Sequence, residues 1–148
     1  MYLIFFIFLR GHLKSVKYGI CVDHLGRDKG HKLVQYVLGQ YLCHSFQCDS
    51  QYYTLSKDSK LRNEYMCAKV EHSEISMIGC HDQDIQRQDL QWNWIPKGDR
   101  QGLLKHTASG KCLKPDEGHN EVNLLVDDCD DTNENLVWQF DYSLEHPG

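Results

Sequence analysis

The chain contains 148 residues, of which 41% are hydrophobic, 11% aromatic and 25% charged. This composition is that of a globular domain and excludes a mainly disordered chain. The length suits one domain and leaves no room for a second, enzyme-sized one. Sixteen Lys and Arg residues against 21 Asp and Glu give a net charge of −5 without a long basic run. Nucleic acid is therefore not an expected partner.

The chain begins with a hydrophobic run, since residues 1–9 read MYLIFFIFL and Arg10 follows. A membrane-spanning helix needs about 20 apolar residues, so this run is too short for one. It also lacks the basic start and the small-residue cleavage site of a signal peptide. A poor signal sequence, an anchor remnant and a start codon inside a longer gene remain open, and we favour the last. We expect residues 1–17 to lie outside the fold.

Seven cysteines are spread over the chain, and none forms a C-x-x-C motif. This spacing favours a disulfide framework in an oxidising compartment over a metal site or reduced structural thiols. Pairing sequence neighbours leaves Cys48 without a partner and closes three loops, each stabilising by roughly 3 kcal/mol. The pairs are Cys21–Cys43, Cys67–Cys80 and Cys112–Cys129.

A threefold repeat follows from the cysteine positions, because Cys21, Cys67 and Cys112 stand 46 and 45 residues apart. Each unit continues with a strand-like run before its second cysteine and ends in an aromatic cluster. Short apolar runs separated by polar turns predict an all-β fold, although residues 34–38 fit either a strand or one helical turn. Single units of this size cannot bury a core alone, so we expect them to pack around a shared axis.

Several motifs resemble ricin-type β-trefoil lectin domains, most closely the C-terminal lectin domain of polypeptide N-acetylgalactosaminyltransferases. They are Cys21-Val22-Asp23, Tyr41-Leu42-Cys43-His44, and Leu104-Lys105-His106 followed by Ser109-Gly110-Lys111-Cys112-Leu113. The resemblance covers residues 18–143 and leaves residues 144–148 as a tail. It implies a β-trefoil with the three cysteine pairs above, and it places the aromatic residues of a degenerate Q-x-W motif in the core.

The resemblance also implies a function. The chain is expected to be a lectin module recognising N-acetylgalactosamine or galactose-type sugars on glycopeptides, and to act beside a catalytic glycosyltransferase domain. No stretch resembles the family's metal-binding D-x-H motif, so we expect no enzymatic activity and no cofactor in this chain. The expected location is the secretory pathway, either the Golgi lumen or outside the cell.

By this resemblance, the first repeat holds the sugar site, formed by Asp23, Tyr41, His44, Ser50 and Gln51. A carboxylate accepts two hydroxyl protons, and an aromatic ring packs on the apolar face of a galactose-like sugar. Ser50 stands where the family has Asn, and Asp49 would compensate if the loop were shifted by one residue. The second and third repeats carry lysines at the position of Asp23. An ammonium group accepts no hydrogen bond, so we expect at most one live site.

Other interpretations remain open. A trefoil without a live sugar site would serve as a structural or protein-interaction module, and the serine and lysine replacements favour it. Metal binding by the nine histidines, Ca²⁺ binding by the acidic run at 127–131 and a Cys48–His44 nucleophile pair are each weaker. An independent enzyme is disfavoured by the length and the missing motifs.

Overall fold

The computed structural model describes residues 9–25, 36–44, 50–80, 87–117 and 119–141. These residues form fourteen β-strands and two short 3₁₀ helices, at Gln88–Leu90 and Glu134–Leu136. Among them, no helix has the length and apolar character needed to cross a membrane. The expectation of an all-β chain is confirmed.

The strands fall into three repeats. The first repeat contains β1 (Leu9–Ser15), β2 (Ile20–Asp23), β3 (Tyr36–Val37), β4 (Gly39–Leu42) and β5 (Tyr52–Leu55). The second contains β6 (Leu61–Asn63), β7 (Met66–Glu71), β8 (Glu74–Gly79) and β9 (Trp92–Gly98). The third contains β10 (Gln101–His106), β11 (Lys111–Lys114), β12 (Val122–Asn123), β13 (Leu125–Asp128) and β14 (Trp138–Asp141).

Six strands close a barrel. β1 pairs with β5 and β14, β10 pairs with β14 and β9, and β5 pairs with β6, all antiparallel. An isolated bridge between Lys60 and Gln91 joins the two remaining neighbours, β6 and β9. Three antiparallel pairs, β2–β4, β7–β8 and β11–β13, cover one end of the barrel. This is the expected β-trefoil.

Equivalent positions of the three repeats meet in one core. Each repeat contributes one leucine from its first strand, one small or branched residue that follows its first cysteine, and one aromatic residue from its last strand. All nine are at most 1% exposed, and they are Leu13, Leu61, Leu104, Val22, Ala68, Leu113, Tyr53, Trp92 and Trp138. The drift of the Q-x-W motif therefore leaves the buried aromatic position intact in every repeat.

The disulfide framework is confirmed. Cys21–Cys43, Cys67–Cys80 and Cys112–Cys129 are bonded, with Cα–Cα distances of 5.1, 5.8 and 5.1 Å. Each bond lies within one repeat and joins the second strand of that repeat to the residue that follows its partner strand at the covered end of the barrel. Cys48, to which spacing assigned no partner, lies outside the described residues.

The prediction that residues 1–17 lie outside the fold is wrong for residues 9–17. Strand β1 pairs with β14, β2 and β5, and Leu13 is fully buried. Val16 also donates its backbone N–H to the carbonyl of Val137 at 3.0 Å. The reason is closure of the barrel, because without β1 both β5 and β14 would leave an open edge.

Candidate functional site

The candidate site begins with Asp23, the last residue of β2. In the β2–β4 pair Asp23 lies opposite Gly39, and Cys21 lies opposite Tyr41. The Asp23 side chain turns back on its own backbone, since Oδ1 accepts the N–H of Leu25 at 2.8 Å. This Asx-type turn ends the strand and fixes one oxygen of the carboxylate. Asp23 is only 4% exposed.

Gln51 orients the other oxygen of this carboxylate. Its Nε2 donates to Asp23 Oδ2 at 3.0 Å and to the carbonyl of Leu42 at 2.9 Å. Its Oε1 accepts the backbone N–H of His44 at 3.0 Å. Gln51 is 1% exposed, so its amide holds the ends of β2 and β4 together from below the surface. It acts as a support for the site more than as a group that faces a ligand.

His44 and Tyr41 stand beside the carboxylate. His44 Nε2 lies 3.7 Å from Asp23 Oδ2, beyond a hydrogen bond but within the range of an ion pair when the ring is protonated. The rings of Tyr41 and His44 meet edge to face, with centroids 6.0 Å apart and planes at 72°. Both residues are half-buried. A carboxylate, an imidazole and a phenol thus converge at one end of the first repeat.

Ser50 reaches the site through its backbone. Its carbonyl accepts the N–H of His24 at 3.3 Å and the hydroxyl of Tyr53 at 2.8 Å. All five predicted residues are therefore brought together. The intervening residues 26–35 and 45–49 lie outside the described part of the chain, and these include Cys48 and Asp49.

Two neighbours of Asp23 have shifted pKa values. Burial lowers the pKa of His24, although the nearby Asp23 carboxylate opposes the effect. Burial, followed by the Asp23 charge, raises the pKa of the Tyr53 hydroxyl. Near neutral pH both groups therefore favour their uncharged forms, and neither neutralises the carboxylate.

The equivalent places in the other repeats are built differently. Lys69 lies 3.3 Å from Glu71, and Lys114 lies 3.0 Å from Asp127. The position of Gln51 is held by the buried residues Leu90 and Leu136, which pack against the local disulfides. In the described residues of these two repeats, no buried amide side chain at this position holds a carboxylate. The lysines were already visible when the three repeats of the sequence were compared. That Leu90 and Leu136 replace Gln51 is seen only when the repeats are aligned in the structure.

A cavity of about 390 Å³ lies in the third repeat, beside Lys114, Leu125, Asp127 and Ser73 of the β7–β8 turn. The cavity is concave, but it lacks a carboxylate held in place as Asp23 is in the first repeat. Its lysine and aspartate already pair with each other, so we give the chemistry at Asp23 more weight than the shape of this cavity.

Two of the alternatives involve metals, bound by histidines or by the acidic run. In the part of the chain that the structure describes, no group of three or more His, Cys, Asp or Glu side chains could hold a metal ion. The acidic run is used otherwise, since Asp127, Asp128 and Asp131 pair with Lys114, Lys111 and Lys97. Asp130 accepts hydrogen bonds from the backbone and hydroxyl of Thr132.

One residue near the site was missed. His12, on β1, donates from Nε2 to the carbonyl of His44 at 2.9 Å. A signal was present, because Gly11-His12-Leu13-Lys14 matches Gly102-Leu103-Leu104-Lys105. The two stretches are 91 residues apart, as are Cys21 and Cys112. Extending the repeat backwards from the cysteines would have placed β1 in the fold.

Comparison with known proteins agrees with this architecture. The family model of the ricin-type β-trefoil lectin domain matches residues 9–138. A curated relative, "Probable N-acetylgalactosaminyltransferase 9" of Caenorhabditis elegans, is 30% identical over 132 residues. That alignment covers 88% of this chain and 21% of the relative. The aligned part of this chain is the lectin domain, so the match is to the non-catalytic lectin region of the transferase.

Solved structures share the fold at low sequence identity. The crystal structure of GalNAc-T7 with UDP, GalNAc and Mn²⁺ has a TM-score of 0.66 at 18% identity, covering 89% of this chain and 22% of that one. A non-toxic homologue of type II RIPs from Momordica charantia, in complex with α-methyl-D-galactoside, has a TM-score of 0.70 at 18% identity. It covers 93% of this chain and 49% of that chain. With a family model that spans most of its length, three matching disulfide-bonded repeats and a closed trefoil barrel, the chain belongs to the ricin-type β-trefoil lectin domain family.

Proposed function

We propose that the first repeat binds a galactose-type sugar, N-acetylgalactosamine on glycopeptides, and so guides a linked or partner glycosyltransferase to partly glycosylated substrates. The observation that carries this proposal is the Asp23 carboxylate, held by the Gln51 amide and the Leu25 N–H. Such a fixed carboxylate accepts protons from two neighbouring sugar hydroxyls without reorganising. The ring of Tyr41 offers an apolar surface to the sugar.

The relatives support the choice of ligand. A structural neighbour carries a bound α-methyl-D-galactoside, and the curated relative is described as a probable N-acetylgalactosaminyltransferase. Three disulfides fit the oxidising secretory pathway or the outside of the cell, with the Golgi lumen as our specific proposal. With a single shallow site, the Kd for a monosaccharide should be on the order of millimolar.

The test is a titration of the oxidised, ¹⁵N-labelled domain with N-acetylgalactosamine, followed by amide chemical shifts. We expect saturable shifts near Asp23, Tyr41 and His44. Asp23→Asn should abolish them, because the amide that replaces the carboxylate accepts at only one position. Asp127→Asn is the matched control, since it alters the equivalent end of the third repeat and should leave the shifts of the first repeat intact.

Gln51→Leu gives this repeat the residue found at Leu90 and Leu136. It removes both hydrogen bonds of the amide nitrogen and leaves a buried carboxylate oxygen without its donor. We expect a loss of about 1–3 kcal/mol in the free energy of unfolding, measured in urea, together with loss of sugar binding. The exposed Gln88→Leu should change stability by less than about 0.5 kcal/mol.

A second candidate function is a trefoil without a live site, acting in structure or protein interaction. Ser50, Lys69 and Lys114 favour it, because each removes a hydrogen-bonding option at a sugar position. No amide shift at tens of millimolar sugar, about ten times the expected Kd, would reject the sugar proposal in favour of this one.

A further inference from the structure

The carbonyl of His44 is held by a buried histidine from a different strand. His12 lies in β1, opposite Tyr52 of β5 on one side and Asp141 of β14 on the other. It is 6% exposed, and its ring meets that of Tyr52 edge to face at 6.5 Å. Its Nε2 lies 2.9 Å from the carbonyl oxygen of His44.

The acceptor determines which nitrogen of the His12 ring donates this hydrogen bond. A carbonyl oxygen only accepts, so Nε2 of His12 carries the proton. Nδ1 is buried, and it has no hydrogen-bond partner in the part of the chain that the structure describes. His12 therefore donates this hydrogen bond through Nε2–H.

Through this bond, His12 is the first member of a hydrogen-bonded series that ends at the carboxylate of Asp23. His12 holds the carbonyl of His44, and Gln51 Oε1 holds the backbone N–H of the same residue. Gln51 Nε2 then donates to Asp23. The backbone of His44 is thus fixed on both sides, which sets where its imidazole lies relative to Asp23.

Equivalent positions in the other repeats differ in step with the site. In the third repeat the position of His12 is Leu103, which packs with Leu136 at the position of Gln51. In the second repeat it is Lys60, whose ammonium turns to Asp58 instead. A polar donor that serves this loop thus occurs in the repeat that keeps Asp23 and Gln51.

We propose that His12 is a positioning residue of the sugar site, which holds the His44 backbone so that the imidazole and Asp23 face one sugar. This inference rests on the proposed sugar binding. It extends the site to β1 through the contact of His12 with the His44 backbone.

The test compares His12→Leu, which copies the third repeat, with His12→Gln, whose Nε2 can still donate to the carbonyl of His44. His12→Leu should raise the Kd for N-acetylgalactosamine by about three- to tenfold, as expected for one lost hydrogen bond. His12→Gln should restore it to within about twofold of the wild type.

His106→Leu is the matched control. It removes another buried histidine, on β10 of the third repeat, which donates from Nε2 to the carbonyl of Asp89 in the second repeat at 2.8 Å. It should lower stability and leave the Kd unchanged, so a loss of binding in this control would mean that destabilisation alone weakens the site. Wild-type affinity in His12→Leu, or equal weakening in both His12 variants, would overturn the proposal.

A second measurement does not depend on sugar or on the folding of the variants. The ¹⁵N shifts of the His12 ring in the wild-type domain report its tautomer, and we expect Nε2–H. The Nδ1–H form would overturn the inference. If the wild-type domain binds no sugar, the proposed function fails. The tautomer of His12, and the change in the His44 amide shift between wild type and His12→Leu, still decide whether His12 holds the His44 peptide group.

Discussion

At the turn between β5 and β6, Asp58 gathers three donors. Its carboxylate accepts hydrogen bonds from the hydroxyl of Ser56 and, at 2.9 Å, from the guanidinium of Arg62. It also forms an ion pair with the fully buried Lys60 at 3.2 Å. Burial by itself raises the pKa of Asp58, but hydrogen bonds from Ser56, Arg62 and Lys60 outweigh it and lower the pKa to about 2. Asp58 thus compensates a buried ammonium group.

Asp58→Asn should lower the free energy of unfolding at pH 7 by about 1–3 kcal/mol, since it leaves the charge of Lys60 without its counterion. The 29% exposure of the Asp58 side chain keeps the effect moderate. The folded pKa is below the ordinary 3.8, so the stabilisation is present above pH 4 and is lost as the pH falls towards 2. Urea unfolding of both proteins at pH 7 and pH 2.5 checks this.

Asp99→Asn, on an exposed turn, serves as the control for Asp58→Asn and should be close to neutral at both pH values. A deficit of Asp58→Asn that stays constant from pH 7 to pH 2.5 would contradict the charge-based explanation and point to packing instead.

Among single residues, the sequence indicated the chemistry of the site better than its support. Asp23, Tyr41 and His44 were predicted from the family resemblance, which rests on the motifs around Cys21 and Cys43. The contact of Ser50 through its carbonyl was not, since a serine suggests a hydroxyl contact. His12 was not found either, because its partner is the backbone of a residue 32 positions away.

At the level of elements, β1 is the strand that sequence reasoning left out. The aromatic clusters of the first two units are each followed by a strand. After the third cluster, β14 is the last strand among the described residues, and the equivalent place is taken by another part of the chain. β1 fills that place from the other end of the chain, pairing with β14 over His12–Asp141, Leu13–Phe140, Lys14–Gln139 and Ser15–Trp138.

Leu13→Ala tests whether β1 belongs to the core. Leu13 is fully buried with Leu104 and Tyr53, so we expect a loss of about 2–5 kcal/mol in the free energy of unfolding. Val16→Ala is the control, because that side chain is 43% exposed and should lose less than about 1 kcal/mol. If Leu13→Ala were as stable in urea as the wild type, β1 would not be part of the folded core.

At the scale of the whole molecule, the three disulfides close loops of 22, 13 and 17 residues. Loop entropy depends on the logarithm of loop length. Replacing both cysteines of any one disulfide with alanine should therefore cost about 3 kcal/mol, with differences of about 0.5 kcal/mol between repeats. Urea unfolding of the three double-alanine variants measures this. A variant as stable as the wild type would show that its disulfide does not constrain the unfolded chain.

The spacing of residues along the chain was enough to predict the all-β class, the threefold repeat and the three cysteine pairs. The trefoil and the residues of one candidate site were predicted from the resemblance to a lectin family. Only the tertiary structure decided that β1 closes the barrel, that Gln51 supports Asp23 from below, and that His12 reaches the His44 carbonyl. Gln51 meets Asp23 through a side-chain hydrogen bond between residues 28 positions apart, and His12 meets a backbone carbonyl 32 positions away, so neither contact leaves a local pattern. β1 left one signal, the match of Gly11-His12-Leu13-Lys14 to the start of β10, but its pairing with β14 follows from closure of the barrel.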